Sequence, residues 1–142
     1  MTSQDPLPNV TTIKDRAKSK LERDAKEILF ALQDPETVEI MVNTDGRIWQ
    51  EKLGQKIQHI GNIQTAQVEA VIKTVAGFHG KEVNRFNPMI EGEFPLDNSR
   101  FAGQLPPIVL SPTFAIHKKA FDEPDSKRKV AFESDEMLLI VE

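Results

Sequence analysis

Clusters of basic side chains are the strongest candidates for chemistry in this sequence. The first comprises His117, Lys118 and Lys119, the second is the run at residues 127–129 (KRK), and Arg100 precedes both, directly after a predicted turn. Guanidinium and ammonium groups on neighbouring strand ends can bind a phosphate or a carboxylate. Charge clusters are also common on ordinary solvated surfaces. The residues alone therefore leave both interpretations open.

Acidic residues form a second candidate group, comprising Glu91, Glu93 and Asp97. Residues two apart in a strand share one face, so Glu91 and Glu93 could act together as an acid–base pair. The segment offers no candidate nucleophile or metal site beside them. We interpret it as a solvent-exposed strand and keep a small hydrolase that uses Glu91 and Glu93 as the weakest hypothesis.

Metal and nucleotide motifs are not supported by the spacing. The three histidines, His59, His79 and His117, are widely separated, and a metal site needs three or four converging ligands. Residues 77–82 (GFHGKE) contain Gly-Lys, but a phosphate loop needs four residues between its glycines and Ser or Thr after the lysine. We predict instead that Gly80 ends a helix.

Two helices are predicted from apolar stripes and caps. Thr11 or Thr12 can cap the first helix, which should end near Gln33 because Pro35 cannot continue it. Thr65 opens the second, which ends at Gly80. Their stripes, at steps of three and four residues, are Leu21, Ala25, Ile28, Leu29 and Leu32, then Val68, Val71, Ile72, Val75 and Ala76.

Six β-rich runs accompany the helices. They lie at residues 37–42, 47–53, 56–60, 88–94, 100–105 and 113–118. Short turns, such as Asp45-Gly46, separate several of them, which is typical of antiparallel hairpins. The sequence predicts an α+β fold: a curved antiparallel sheet of about six strands, with the N-terminal helix and the second amphipathic helix packed on one side.

Composition limits the class of protein. The sequence of 142 residues fits one domain, and it contains no cysteine, which excludes disulfides and thiolate chemistry. Its net charge of −4 argues against a dedicated binder of duplex DNA. We predict a flexible tail at residues 1–10 and a ring-forming domain at 11–120. Residues 121–142 should be an interdomain linker and the start of a following helix, truncated at Glu142.

Several segments, read in order, resemble a known family. They are residues 34–43 (DPETVEIMVN), 45–49 (DGRIW), 87–90 (NPMI), 94–101 (FPLDNSRF), 105–107 (LPP) and 111–118 (SPTFAIHK). Together they are similar to the N-terminal domain of TrbB-type conjugative-transfer ATPases, the traffic ATPases of type IV secretion. The resemblance covers roughly residues 20 to 120, and its strength lies in the order and spacing of the segments.

The resemblance implies a function. Such proteins are hexameric rings that bind ATP and Mg between an N-terminal domain and a motor domain, and they power pilus assembly and substrate transfer. It implies a cytoplasmic location at the inner face of the bacterial inner membrane, with other secretion ATPases and inner-membrane subunits as partners. It allows peripheral membrane contact and implies no sequence-specific binding of nucleic acid.

The resemblance also implies site residues. Arg100 matches a family arginine that reaches the nucleotide phosphates, whereas His117 stands where the family has a second arginine. A histidine is shorter and mostly neutral near pH 7, so Lys118 or Lys119 could substitute for that contact. No catalytic or metal-binding residue is expected here. The phosphate loop and acidic metal ligands of the family are missing, so we expect this chain alone neither to hydrolyse ATP nor to bind it tightly. The alternative is a stand-alone adaptor or inhibitor that docks on a secretion ATPase.

Overall fold

The computed structural model describes residues 12–119. These residues form three helices and six strands, which confirms the predicted α+β class. The predicted tail at residues 1–10 and the predicted linker and helix start at 121–142 lie outside the described residues. The elements are α1 (Ile13–Asp24), α2 (Lys26–Leu32), β1 (Thr37–Val42), β2 (Arg47–Lys52), β3 (Gln58–Asn62), α3 (Thr65–Phe78), β4 (Met89–Glu93), β5 (Arg100–Gln104) and β6 (Thr113–His117).

The six strands form one sheet in the order β3-β2-β1-β6-β5-β4, and every neighbouring pair is antiparallel. Strands β1 to β3 form one meander and β4 to β6 a second. The pairing of β1 with β6 joins the two meanders at the centre of the sheet. Because α3 connects β3 to β4, it carries the chain from one edge of the sheet to the other.

The N-terminal helical segment differs from the prediction of one continuous helix. It is divided at Ala25, whose backbone leaves the helical region with φ −139° and ψ 44°. The division redirects the buried stripe, because α1 packs mainly against α3 while α2 packs against β1. The residues around Ala25 include neither proline nor glycine, so no local signal announces the break. Tertiary packing therefore sets the direction of α2.

The helix ends agree more closely with the sequence. Thr12 caps α1: its hydroxyl accepts from the Asp15 N–H at 3.0 Å, and the Asp15 carboxylate accepts from the Thr12 N–H at 3.3 Å. At the C-terminal end of α3, Gly80 has φ +70°, and the N–H of Lys81 donates to the carbonyl of Ala76. This is the glycine-terminated helix end that the sequence predicts.

The core lies between the helices and one face of the sheet. Three rings stack in it: Phe94 lies 6.0 Å from Phe101, and Phe101 lies 5.3 Å from Phe114, measured between centroids. Gly103 makes room for them, because a Cβ at that position would lie 3.0 Å from both Phe101 and Ile72. Strand β5 therefore holds its buried face tightly against α3.

A buried polar chain fixes the corner between α2 and the sheet. The Thr37 hydroxyl donates to the carbonyl of Ala31 and accepts from the side-chain amide of Gln50, both at 2.8 Å. The pairing of β1 with β2 shifts register between Thr37 and Glu39, so Thr37 is buried and Val38 only half-buried. Simple alternation along β1 would instead bury Val38 on the same face as Ile40 and Val42.

Asp34 links this corner to β2 and makes stability depend on pH. A hydrogen bond from the Glu36 N–H, and then one from the Lys52 ammonium, hold the pKa of the Asp34 carboxyl below its ordinary 3.8. The contribution of Asp34 to the free energy of unfolding is therefore present above its ordinary pKa, and it is lost as pH falls through the lowered pKa.

We expect Asp34→Asn to weaken this loss of stability at acid pH, as measured by urea titration of the unfolding free energy at each pH. Superimposable profiles for the variant and the parent chain would contradict this account.

Candidate anion site on the open face of the sheet

One row of charged side chains crosses four strands on the face of the sheet opposite the helices. The register pairs Glu39 with His117, His117 with Arg100, and Arg100 with Glu93, on β1, β6, β5 and β4 respectively. We call these four residues the charged row. Next to them along three of these strands lie the buried side chains Ile40, Ile116 and Phe101. The core therefore anchors the strands that present the row to solvent.

Arg100 lies at the first residue of β5 and is exposed. Among residues 12–119 its side chain has no hydrogen bond or ion pair, so its guanidinium is free to meet an incoming anion. A guanidinium presents several N–H donors in a planar fork that fits two oxygens of a phosphate or carboxylate. The turn between β4 and β5 positions it, because Asp97 accepts from the N–H of Ser99 just before the strand begins.

His117 stands beside Arg100 at the end of β6. Its Nδ1 lies 3.7 Å from a carboxylate oxygen of Glu39, a separation that attracts the ring only when it carries a proton. The ring is about half exposed, at 47% of its side-chain surface. His117 and Arg100 therefore form a mixed site of one permanent and one conditional positive charge.

Lys118 does not join the charged row. Its ammonium donates to the carbonyl of Leu32 at 2.9 Å and to the carbonyl of Asp34 at 3.2 Å, at the end of α2. Neighbouring residues of a strand point to opposite faces, so the predicted grouping of His117 with Lys118 spans both sides of the sheet. A cation at a helix C-terminus satisfies carbonyls that have no partner within the helix.

Replacing Lys118 by methionine should therefore lower stability. We expect Lys118→Met to reduce the free energy of unfolding by about 1–2 kcal/mol, because the two carbonyls lose a charged donor. Lys119→Met is the matched control and should change it by less than about 0.5 kcal/mol, since that side chain is exposed. Urea denaturation measures both, and equal effects of the two substitutions would contradict the assignment.

The side chain of Lys119 lies on the open face of the sheet, whereas that of Lys118 lies on the face toward the helices. Its ammonium lies 3.5 Å from a carboxylate oxygen of Glu93, the residue that pairs with Arg100. The sequence pattern grouped Lys119 with the basic cluster at residues 117–119, but the resemblance gave it only as a substitute and did not include it among the site residues. The signal was available, because residues 117 and 119 are two apart and share a face if the extended backbone of β6 continues.

The other candidate residues are dispersed. His59 contacts the carbonyl of Gly61 at 2.9 Å, and His79 contacts the carbonyl of Glu93 at 2.7 Å. Glu91 and Glu93 are both exposed on β4, as expected for a solvent-facing strand. Within the described part of the chain no three His, Cys, Asp or Glu side chains converge as metal ligands. No helix there is long and apolar enough to cross a bilayer.

A groove of about 550 Å³ adjoins the charged row on the same face. Its lining mixes apolar side chains, such as Met41 and Met89, with Asn43, Thr44 and Gln104. The groove is open and contains no cluster of cations. The capacity of this face to bind an anion therefore lies in the charged row, and not in the groove.

The chain is similar in sequence to two conjugal transfer proteins. A probable conjugal transfer protein TrbB of Sinorhizobium fredii strain NGR234 is 40% identical over 110 residues, which are 74% of this chain and 34% of that protein. A conjugal transfer protein TrbB of Rhizobium radiobacter is 42% identical over 94 residues, or 66% of this chain and 29% of that protein. The chain thus spans about a third of the length of these relatives. No protein-family profile matches it.

The fold has a solved counterpart. The crystal structure of the VirB11 ATPase from the Brucella suis type IV secretion system, in complex with sulphate, superposes with a TM-score of 0.69 over 83% of this chain and 36% of that one. Only 15% of the aligned residues are identical, so this similarity concerns the fold alone. The sequence matches show that this chain is homologous to part of the TrbB conjugal transfer proteins.

Proposed function

We propose that this chain forms the N-terminal domain of a hexameric ATPase that powers type IV secretion or conjugative transfer. The observation that carries the proposal is the identity of 40–42% to TrbB conjugal transfer proteins, of which the chain covers about a third. The fold shared with the VirB11 ATPase supports it. In this proposal the domain contributes to ring assembly and to nucleotide phosphate contacts, at the cytoplasmic face of the inner membrane.

The charged row supplies the chemistry for the phosphate contacts. Arg100 is exposed, unpaired within the described residues and able to bind two phosphate oxygens. His117, one strand away, adds a second donor and adds charge when protonated. Of the three residues that the sequence singled out, these two form the proposed contact, while Lys118 supports the corner of the fold that carries β6.

The described residues fit one end of ATP better than the whole molecule. The cationic side chains of the open face can bind the phosphates, but residues 12–119 offer no carboxylate cluster that could bind Mg. Bound Mg-ATP would supply the transferable phosphoryl group, and this domain would orient its phosphates and neutralise their charge. The adenosine and the metal would be held mainly by a motor domain, so the chain alone is expected to be inactive.

The reading frame downstream of codon 142 tests the proposal directly. Continuation into a motor domain that contains Gly-x-x-x-x-Gly-Lys-Ser/Thr is expected, and the complete product should have the mass of a hexamer by light scattering. A stop codon directly after Glu142 would overturn the proposal and favour the alternative, an adaptor or inhibitor that docks on a secretion ATPase. A complete product that contains the motif but stays monomeric with bound nucleotide would contradict the ring.

A further inference from the structure

Lys119 shares the open face with the charged row. Its ammonium lies 3.5 Å from Glu93, and Glu93 pairs in register with Arg100. Arg100 pairs in turn with His117, two residues before Lys119 along the chain. The side chains of Lys119, Arg100 and His117 therefore surround the start of β5, directly after the turn between β4 and β5.

The pairing of Lys119 with Glu93 is weak enough to be exchanged. Both side chains are about half exposed, at 47% and 58%. Solvent-exposed ion pairs of this kind contribute little stability, because water screens the attraction and the two side chains lose freedom. A phosphate group that carries more charge than a carboxylate would attract the same ammonium more strongly.

Lys118 is not available for the same task. Its ammonium already donates to the carbonyls of Leu32 and Asp34 on the side of the sheet that faces the helices. Reaching the open face would break both hydrogen bonds and leave the end of α2 without its charged donor. The adjacent lysines therefore have different roles, one supporting the fold and the other facing solvent.

From this geometry we infer that Lys119 is the third cation of the phosphate site, and that Glu93 holds its ammonium until a polyphosphate binds. This inference rests on the proposed function, because it adds a residue to the contact assigned to Arg100 and His117. On binding, the Lys119 ammonium moves from the Glu93 carboxylate to a phosphate oxygen. No covalent bond changes. By holding Lys119, Glu93 thereby lowers the affinity of the site for anions, and it selects against weakly charged ones.

The experiment measures the affinity of the chain for inorganic tripolyphosphate by NMR titration at neutral pH. Lys119→Gln should weaken binding by about fivefold, the effect of losing one exposed charge contact. Lys118→Gln is the matched control and should leave the affinity unchanged. Glu93→Gln should strengthen binding by about threefold, and the gain should shrink when Lys119→Gln is also present.

The outcomes separate this inference from the proposal beneath it. If Arg100→Gln weakens binding and Lys119→Gln does not, the role of Lys119 is overturned while the phosphate contact stands. If neither substitution has an effect, the phosphate contact itself fails. An equal loss in Lys118→Gln and Lys119→Gln, with intact amide spectra, would also overturn the division of roles. An undiminished gain from Glu93→Gln in the double variant would show that Glu93 repels the anion without holding Lys119.

Discussion

Replacing Arg100 by glutamine in the complete ATPase is expected to lower the ATP turnover number by about 100-fold or more. Negative charge shifts among the phosphate oxygens as the phosphoryl group is transferred, and a positioned guanidinium stabilises that charge. Arg100 is exposed at the start of β5 and is unpaired within residues 12–119, so its removal should leave the fold intact. The measurement is the steady-state kcat and KM, with circular dichroism to check the fold.

A second arginine provides the control for this experiment. Arg47 is also exposed at the start of a strand, but it lies on β2 beside Asp45, at 3.5 Å, and outside the charged row. Arg47→Gln removes the same charge and should leave turnover unchanged. Unaltered turnover in Arg100→Gln would reject the proposed phosphate contact, and an equal loss in both variants would attribute the effect to net charge.

Truncating Phe101 to alanine is expected to lower the free energy of unfolding by about 3–5 kcal/mol. Phe101 is only 2% exposed and packs between Phe94 and Phe114, so the substitution leaves a cavity at the centre of the core. A domain of this size has about 5–15 kcal/mol of stability in total. The variant should therefore unfold at a much lower urea concentration.

Another phenylalanine gives the matched control for the core. Phe86 is 85% exposed, so Phe86→Ala should change the unfolding free energy by less than about 0.5 kcal/mol. Urea denaturation followed by tryptophan fluorescence compares the two variants. Similar losses for Phe101 and Phe86 would mean that the stacked rings do not carry the core. Because Phe101 directly follows Arg100, this core also sets the position of the site.

The local elements of the fold could be predicted from the sequence because their causes are local. Alternating apolar residues and turn residues located all six strands, with β3 displaced by two residues from the predicted 56–60. The capping hydroxyl of Thr12 and the glycine at position 80 fixed two helix ends. Backbone preferences and caps act within a few residues, so a short window of sequence contains them.

The exceptions have tertiary causes. The break at Ala25 arises because α1 and α2 pack against different partners, and the burial of Thr37 arises from a register shift between β1 and β2. No proline or glycine near Ala25 signals the break. The energies of packing and of satisfying buried polar groups exceed helix and strand preferences, which are below about 1 kcal/mol per residue.

The order of residues was enough to predict the kinds of elements, the family resemblance and the choice of Arg100 as a candidate cation directly after a turn. Tertiary structure alone decided that β6 inserts between β1 and β5, which brings His117 beside Arg100 and Glu39. It also divided two adjacent lysines between the two faces of the sheet. The physical reason is that strand pairing joins residues far apart in the chain, and that alternation about a buried core decides which side chains meet.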